Sequence, residues 1–153
     1  MSTGTAVRLL VIAACLSAAG CSTNVSRFQM PGTDLSEIVT LHVNQIEEER
    51  GAAELRALVD IDLKQRGYRV QSRTDSTVLG DGDFVLDIAA DWHWDITWYL
   101  LELRVAIYEA ANNTLIAQAQ SQQTSLARKS NLVVVQRTMA SLFGDDPETD
   151  GGR

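Results

Sequence analysis

Residues 84–109 read FVLDIAADWHWDITWYLLELRVAIYE, and the fold turns on how that stretch is divided. From Phe84 the even positions Phe84, Leu86, Ile88, Ala90, Trp92, Trp94, Ile96 and Trp98 are apolar, whereas the odd ones include Asp87, Asp91, His93 and Asp95. A period of two marks a strand with one buried face. As a single strand the stretch would run roughly 80 Å at about 3.3 Å per residue, against a radius of gyration of about 13 Å for a domain of this size. The chain therefore has to turn back. Neither Gly nor Pro marks the place, but the apolar parity flips after Trp98, to Leu101, Leu103, Val105 and Ile107. That puts a turn or strong bulge between Asp95 and Leu101.

Working outward, Ala111-Asn112-Asn113 suits a short hairpin turn, because Asn tolerates positive φ, and Leu115, Ala117 and Ala119 follow as a strand. A last helix is expected from about Ser130 to Phe143, with Leu132, Val135, Met139 and Leu142 on one stripe and Gly144 as its stop. Upstream, Val39, Leu41 and Val43 alternate with Thr40, His42 and Asn44 as a first strand, with His42 facing outward to solvent. A helix follows, with Asn44 and Glu47 as a capping box, Leu55, Leu58, Val59 and Leu63 as its apolar stripe and Gly67 as its end; Gly51 would delay its start by a turn. Tyr68 and Val70 begin a short strand, closed by a loop through Asp75, Gly80 and Gly82. The order β-α-β-β-β-β-α predicts an α+β two-layer sandwich, a mostly antiparallel sheet with two helices on one face and a right-handed first crossover.

This domain is expected over residues 37–143 of the 153-residue chain. Residues 21–36, with Asn24, Pro31 and Gly32, read as a tether, and residues 144–153, with Asp145, Asp146, Glu148 and Asp150, as a disordered acidic tail. The first twenty residues have signal-peptide anatomy: Arg8, then an apolar run from Leu9 to Ala19. As a helix at 1.5 Å per residue that run reaches only about 16 Å, roughly half of a hydrocarbon core.

Ala18-Ala19-Gly20-Cys21 resembles a bacterial lipobox, although position minus three is Ala18 where that motif prefers Leu. The resemblance implies that residues 1–20 are a lipoprotein signal peptide, cut before a Cys21 that carries lipid. Ile12-Ala13-Ala14-Cys15 is a rival box, but a cut there would leave too few apolar residues after Arg8, where about seven or more are needed. Several acyl chains hold a protein at a membrane essentially without release. Ser22 stands where an Asp would favour inner-membrane retention, so the resemblance points to the outer membrane, facing the periplasm.

With Cys15 removed and Cys21 acylated no thiol pair remains, so stability has to come from packing. The mature chain would carry twelve bases against twenty acids, a formal charge of −8. That balance argues against a nucleic-acid partner and against electrostatic attachment to anionic headgroups. The expected partners are membrane lipid through Cys21 and an envelope protein.

All three tryptophans, Trp92, Trp94 and Trp98, fall within seven residues. The run Ala90-Asp91-Trp92-His93-Trp94-Asp95, with Tyr99 and Tyr108 beyond it, resembles the Trp-x-Trp-Asp signature of the Sbal-type family of small bacterial lipoproteins. That likeness implies relatives without implying an activity. The element order is also similar to those of periplasmic assembly lipoproteins and of the amino-terminal domain of the Tol-system propeller protein.

Trp92 and Trp94, on the even face, read as core. Trp98, Tyr99 and Leu100, at the turn, form a candidate contact patch for a partner or for lipid headgroups, unless Trp98 folds down to close the core. Asp91, His93 and Asp95 alternate along one strand face, with neighbours about 6.7 Å apart, and are the candidate ligands for a metal held at about 2.1 Å. Spacing alone supplies two ligands comfortably, fewer than a zinc site needs. No nucleophile elbow, phosphate loop, paired-cysteine site or His-Glu-x-x-His helix is present. The expectation is a non-catalytic periplasmic binding or envelope-assembly module without cofactor. The alternative is a metal-dependent envelope hydrolase using Asp91, His93 and Asp95.

Overall fold

A computed structural model describes residues 24–46, 50–74 and 76–145. The strands are β1 (Asn24–Gln29), β2 (Thr40–Val43), β3 (Arg69–Ser72), β4 (Phe84–Asp95), β5 (Thr97–Glu109) and β6 (Thr114–Gln122); the helices are α1 (Ala52–Gln65) and α2 (Asn131–Phe143). The expected signal peptide, Cys21, Glu47 and the tail beyond Asp145 lie outside the described residues. The strands form one sheet in the order β1-β6-β5-β4-β2-β3, in which β2 runs parallel to both β3 and β4 and every other pair is antiparallel. The fold is α+β, as the periodicity predicts.

Residues 84–109 form the long β4–β5 hairpin, and where the parity flip calls for a turn or a bulge both are present. Asp95 pairs with Thr97 around Ile96, which sits at φ 62° and closes the turn. Asp91 pairs with Glu102 but Trp92 pairs with Leu100, so Leu101 is the extra residue of a bulge. The bulge returns Leu100 to the face that carries Leu103 and Val105, which is why the sequence changes parity there.

That face meets both helices. Leu41, Leu86, Leu103, Val105 and Ala119 pack with Leu55, Val59 and Leu63 of α1 and with Val134, Val135, Met139 and Leu142 of α2 in one core. Leu132, expected on the α2 stripe, faces solvent, and Val134 takes the buried place. Thr138 is also buried there, its hydroxyl donating to the Val134 carbonyl at 2.8 Å one turn back. Ser130 caps the N-terminus of α2, and Gly144 at φ 80° ends the helix. The two helices are bridged at both ends, by Asn131 to Glu54 at 2.9 Å and by Arg66 to Asp145 at 2.5 Å.

Three expectations are corrected. Residues 24–29, assigned to a tether, form edge strand β1 against β6, and a short 3-10 turn at Leu35–Glu37 buries Leu35. An edge strand needs only backbone pairing on one side, so two apolar residues, Val25 and Phe28, left no periodic signal. The Asn44 capping box does not form: α1 starts after Gly51, and the Asn44 side chain is bonded to Asp87 and to Arg73. His42 is buried, with Nε2 3.6 Å from Asp83, because the β3 and β4 neighbours flank its strand on both sides.

Candidate functional site

The β4–β5 hairpin outruns the layer of helices. Beyond the Asp91–Glu102 rung its even-numbered side chains still point to the helix side, but of these only Leu100 and Trp92 meet packing there. The Trp92 ring lies against Gly51 at the head of α1, so closely that a Cβ on Gly51 would fall 2.5 Å from Trp92 Cζ2. A glycine at φ 75° gives the indole that room. Trp94, expected in the core, is 57% exposed, and its ring leans on Trp98, itself 46% exposed, at 5.5 Å between centroids.

The expected patch of Trp98, Tyr99 and Leu100 divides accordingly. Trp98 is at the surface, whereas Tyr99 is 8% and Leu100 1% exposed. Leu100 falls to the core because of the bulge. Tyr99 turns to the opposite face, where Arg128 covers its ring at 4.3 Å and His93 meets it edge-on at 5.7 Å. The apolar surface at this end is made instead by Trp94, Trp98, Ile96 (85% exposed) and Leu126 (83% exposed).

Arg128, which no motif in the sequence singles out, fixes the turn. Its Nη1 donates to Thr97 Oγ1 at 2.9 Å, and its Nη2 donates to the Asp95 carbonyl at 3.1 Å and carboxylate at 2.9 Å. The loop that carries Arg128 is set by the buried Gln123, which donates to the Leu100 carbonyl at 2.7 Å and accepts from the Lys129 N–H at 2.5 Å. A second guanidinium, Arg50, lies 4.9 Å over the Trp98 ring. The signal for this arrangement was non-local: Arg128 is 33 positions from Asp95.

The candidate metal ligands do not assemble. Asp95 is engaged by Arg128 and His93 by Tyr99, and no three metal-binding side chains converge among the described residues. The opposite end of the sheet carries an open groove of about 550 Å³, lined in part by Asp34, Leu35, Arg66, Tyr68 and Phe143. Tyr68 stacks on Phe143 at 5.2 Å and donates to the Leu35 carbonyl at 3.0 Å. Burial raises its phenol pKa, reinforced by the Asp34 and Asp145 carboxylates and opposed by Arg66. Asp34 has its pKa lowered by bonds from the Ser36 hydroxyl and N–H. At Arg66 burial disfavours the charged form, but Asp62 and Asp145 outweigh it and the pKa is raised. Each group has its own partner within the fold: Ser36 for Asp34, the Leu35 carbonyl for Tyr68, and Asp62 and Asp145 for Arg66.

The architecture is that of a two-layer α+β domain with a six-stranded mixed sheet. Among the solved structures similar to it are a variant PelC dodecamer from Paraburkholderia phytofirmans, with TM-score 0.57 and 12% identity over 79% of this chain and 98% of that one, and a second PelC dodecamer from the same organism, with TM-score 0.51 and 12% identity over 82% and 99%. At that identity the likeness is one of fold. No family model and no curated protein matches the chain, so the Trp-x-Trp-Asp resemblance stands on its own residues.

Proposed function

We propose that this chain is a lipid-anchored, non-catalytic envelope module, held at the periplasmic face of the outer membrane through acyl chains on Cys21 and working as one subunit of a multi-copy assembly. The observation that carries the reading is the position of β1: the described residues begin with Asn24, three residues after Cys21, and this first strand is stitched along its whole length to β6. A lipid on Cys21 would therefore hold the domain itself against the membrane. The multi-copy part is supported by the shared fold with PelC, which was solved as a dodecamer. The binding reading is supported by an end surface of exposed aromatic and aliphatic side chains, which is a contact chemistry.

Cell fractionation of the full-length protein and of its Cys21→Ala variant tests the anchor. The first should pellet with outer membranes, and the variant should appear in the soluble periplasm or accumulate uncut. A processed Cys21→Ala protein that stays with the membrane overturns the anchor. Native mass spectrometry of the lipidated protein tests the assembly, with a single copy at all concentrations as the overturning result.

A further inference from the structure

We infer that the tip of the β4–β5 hairpin, carrying Trp94, Ile96 and Trp98, seats in the headgroup layer of the same membrane leaflet that holds the lipid of Cys21. The inference rests on the proposed acylation of Cys21 and goes beyond it, because it assigns a second membrane contact to named side chains. Its basis is the sheet register. Asn24 pairs with Gln122, Gln122 with Glu102, and Glu102 with Asp91, so these four residues form one rung across β1, β6, β5 and β4. Because each of these neighbours is antiparallel, β1 runs away from the hairpin tip, and its first residue, Asn24, is the one nearest the tip.

The lengths agree. Cys21 is three Cα steps before Asn24, at most about 11 Å. Trp94 is three residues beyond Asp91, about 10 Å past the same rung. Sideways, β1 and β5 are separated by two strand spacings, about 10 Å. An acyl chain entering the bilayer at Cys21 thus brings this end of the sheet to the surface, and the hairpin projects on that side by as much as the lipid attachment can reach.

The side chains suit the place. Tryptophan is favoured at membrane interfaces, where its ring is buried and its N–H stays hydrated, and exposed aliphatic residues add burial. Ile96 stands in the left-handed region, where a β-branched residue is strained and where turn chemistry would select Gly or Asn. A large apolar side chain kept at a strained and 85% exposed position is placed for contact rather than for folding. The tip's own acid, Asp95, is neutralised by Arg128, and Arg50, which has no ion-pair partner among the described residues, lies on Trp98.

The test uses the full-length lipidated protein in vesicles of phosphatidylethanolamine and phosphatidylglycerol containing a lipid brominated near the headgroup. Three single-tryptophan forms are compared: Trp92→Phe/Trp98→Phe, Trp92→Phe/Trp94→Phe, and Trp94→Phe/Trp98→Phe. Trp94 and Trp98 should be quenched several-fold more than Trp92, which is packed on Gly51, and circular dichroism should show the same fold in all three. In the three-tryptophan protein, Ile96→Asp should reduce the quenching. Equal, weak quenching of all three residues overturns the inference. So does blue-shifted but unquenched emission from Trp94 and Trp98, which would mean that a second copy covers them. Intact mass separates the premises: acylated protein without quenching sinks only the membrane contact, whereas a mass lacking acyl chains sinks the anchor and the contact together.

Discussion

Arg128 holds Asp95 by two acceptors at once, the carboxylate at 2.9 Å and the backbone carbonyl at 3.1 Å, while covering Tyr99 with the same guanidinium. One side chain from the β6–α2 loop thereby ties the turn of the hairpin, beyond the Trp92 contact with Gly51 at the head of α1. Replacing Arg128 with Ala should lower stability by about 1 kcal/mol, since the ion pair is partly exposed and its charge-assisted bonds are worth little more than neutral ones there. Urea denaturation reads the loss. Hydrogen exchange should rise first at residues 93–99 and leave the α2 core unchanged.

Ile96 is the strained residue of that turn. Asn tolerates the left-handed conformation that isoleucine resists, so Ile96→Asn should raise stability by about 1 kcal/mol, visible as a higher urea midpoint at unchanged slope. A decrease would mean that the Ile96 side chain is packed in the monomer, contrary to its exposure.

Gly51→Ala is expected to be costly for two separate reasons. The backbone is left-handed, a cost of about 1–2 kcal/mol for an L-residue, and the new Cβ would meet Trp92 Cζ2 at 2.5 Å and Cη2 at 2.8 Å. At Gly67, also left-handed at φ 94°, nothing lies within 4 Å, so Gly67→Ala isolates the backbone part. Gly51→Ala should therefore melt lower than Gly67→Ala and shift the Trp92 emission; equal melting points would exclude the steric contribution.

Tyr68 gives the pH prediction. Burial, first among the causes, raises its pKa in the folded state above the usual 10.0. Folding thus favours the neutral phenol: the stability this contributes is present below about pH 10 and is lost as pH rises through the folded-state value. Alkaline titration of tyrosinate absorbance should show one group ionising late, and Tyr68→Phe should remove it. That variant also loses the bond to the Leu35 carbonyl, a cost of about 1 kcal/mol at neutral pH.

The sequence alone determined what depends on neighbours along the chain. Period-two alternation located β2, β4, β5 and β6, the stop signals Gly67 and Gly144 ended both helices, Asn113 took the positive φ expected of its turn, and the parity flip confined the reversal to between Asp95 and Leu101. Each is a local steric or amphipathic rule. Tertiary structure decided everything that depends on which surface lies opposite. Trp92 and Trp94 share a parity, yet one is packed on Gly51 and the other stands clear, because α1 begins level with the first and leaves the second uncovered. Tyr99 and Leu100 left the expected patch because an arginine 29 positions beyond Tyr99 and a one-residue bulge redirected them. Edge strand β1 was legible only once β6 was there to pair with it, and its register is what puts Asn24 on the same rung as Asp91, at the base of the tryptophan tip.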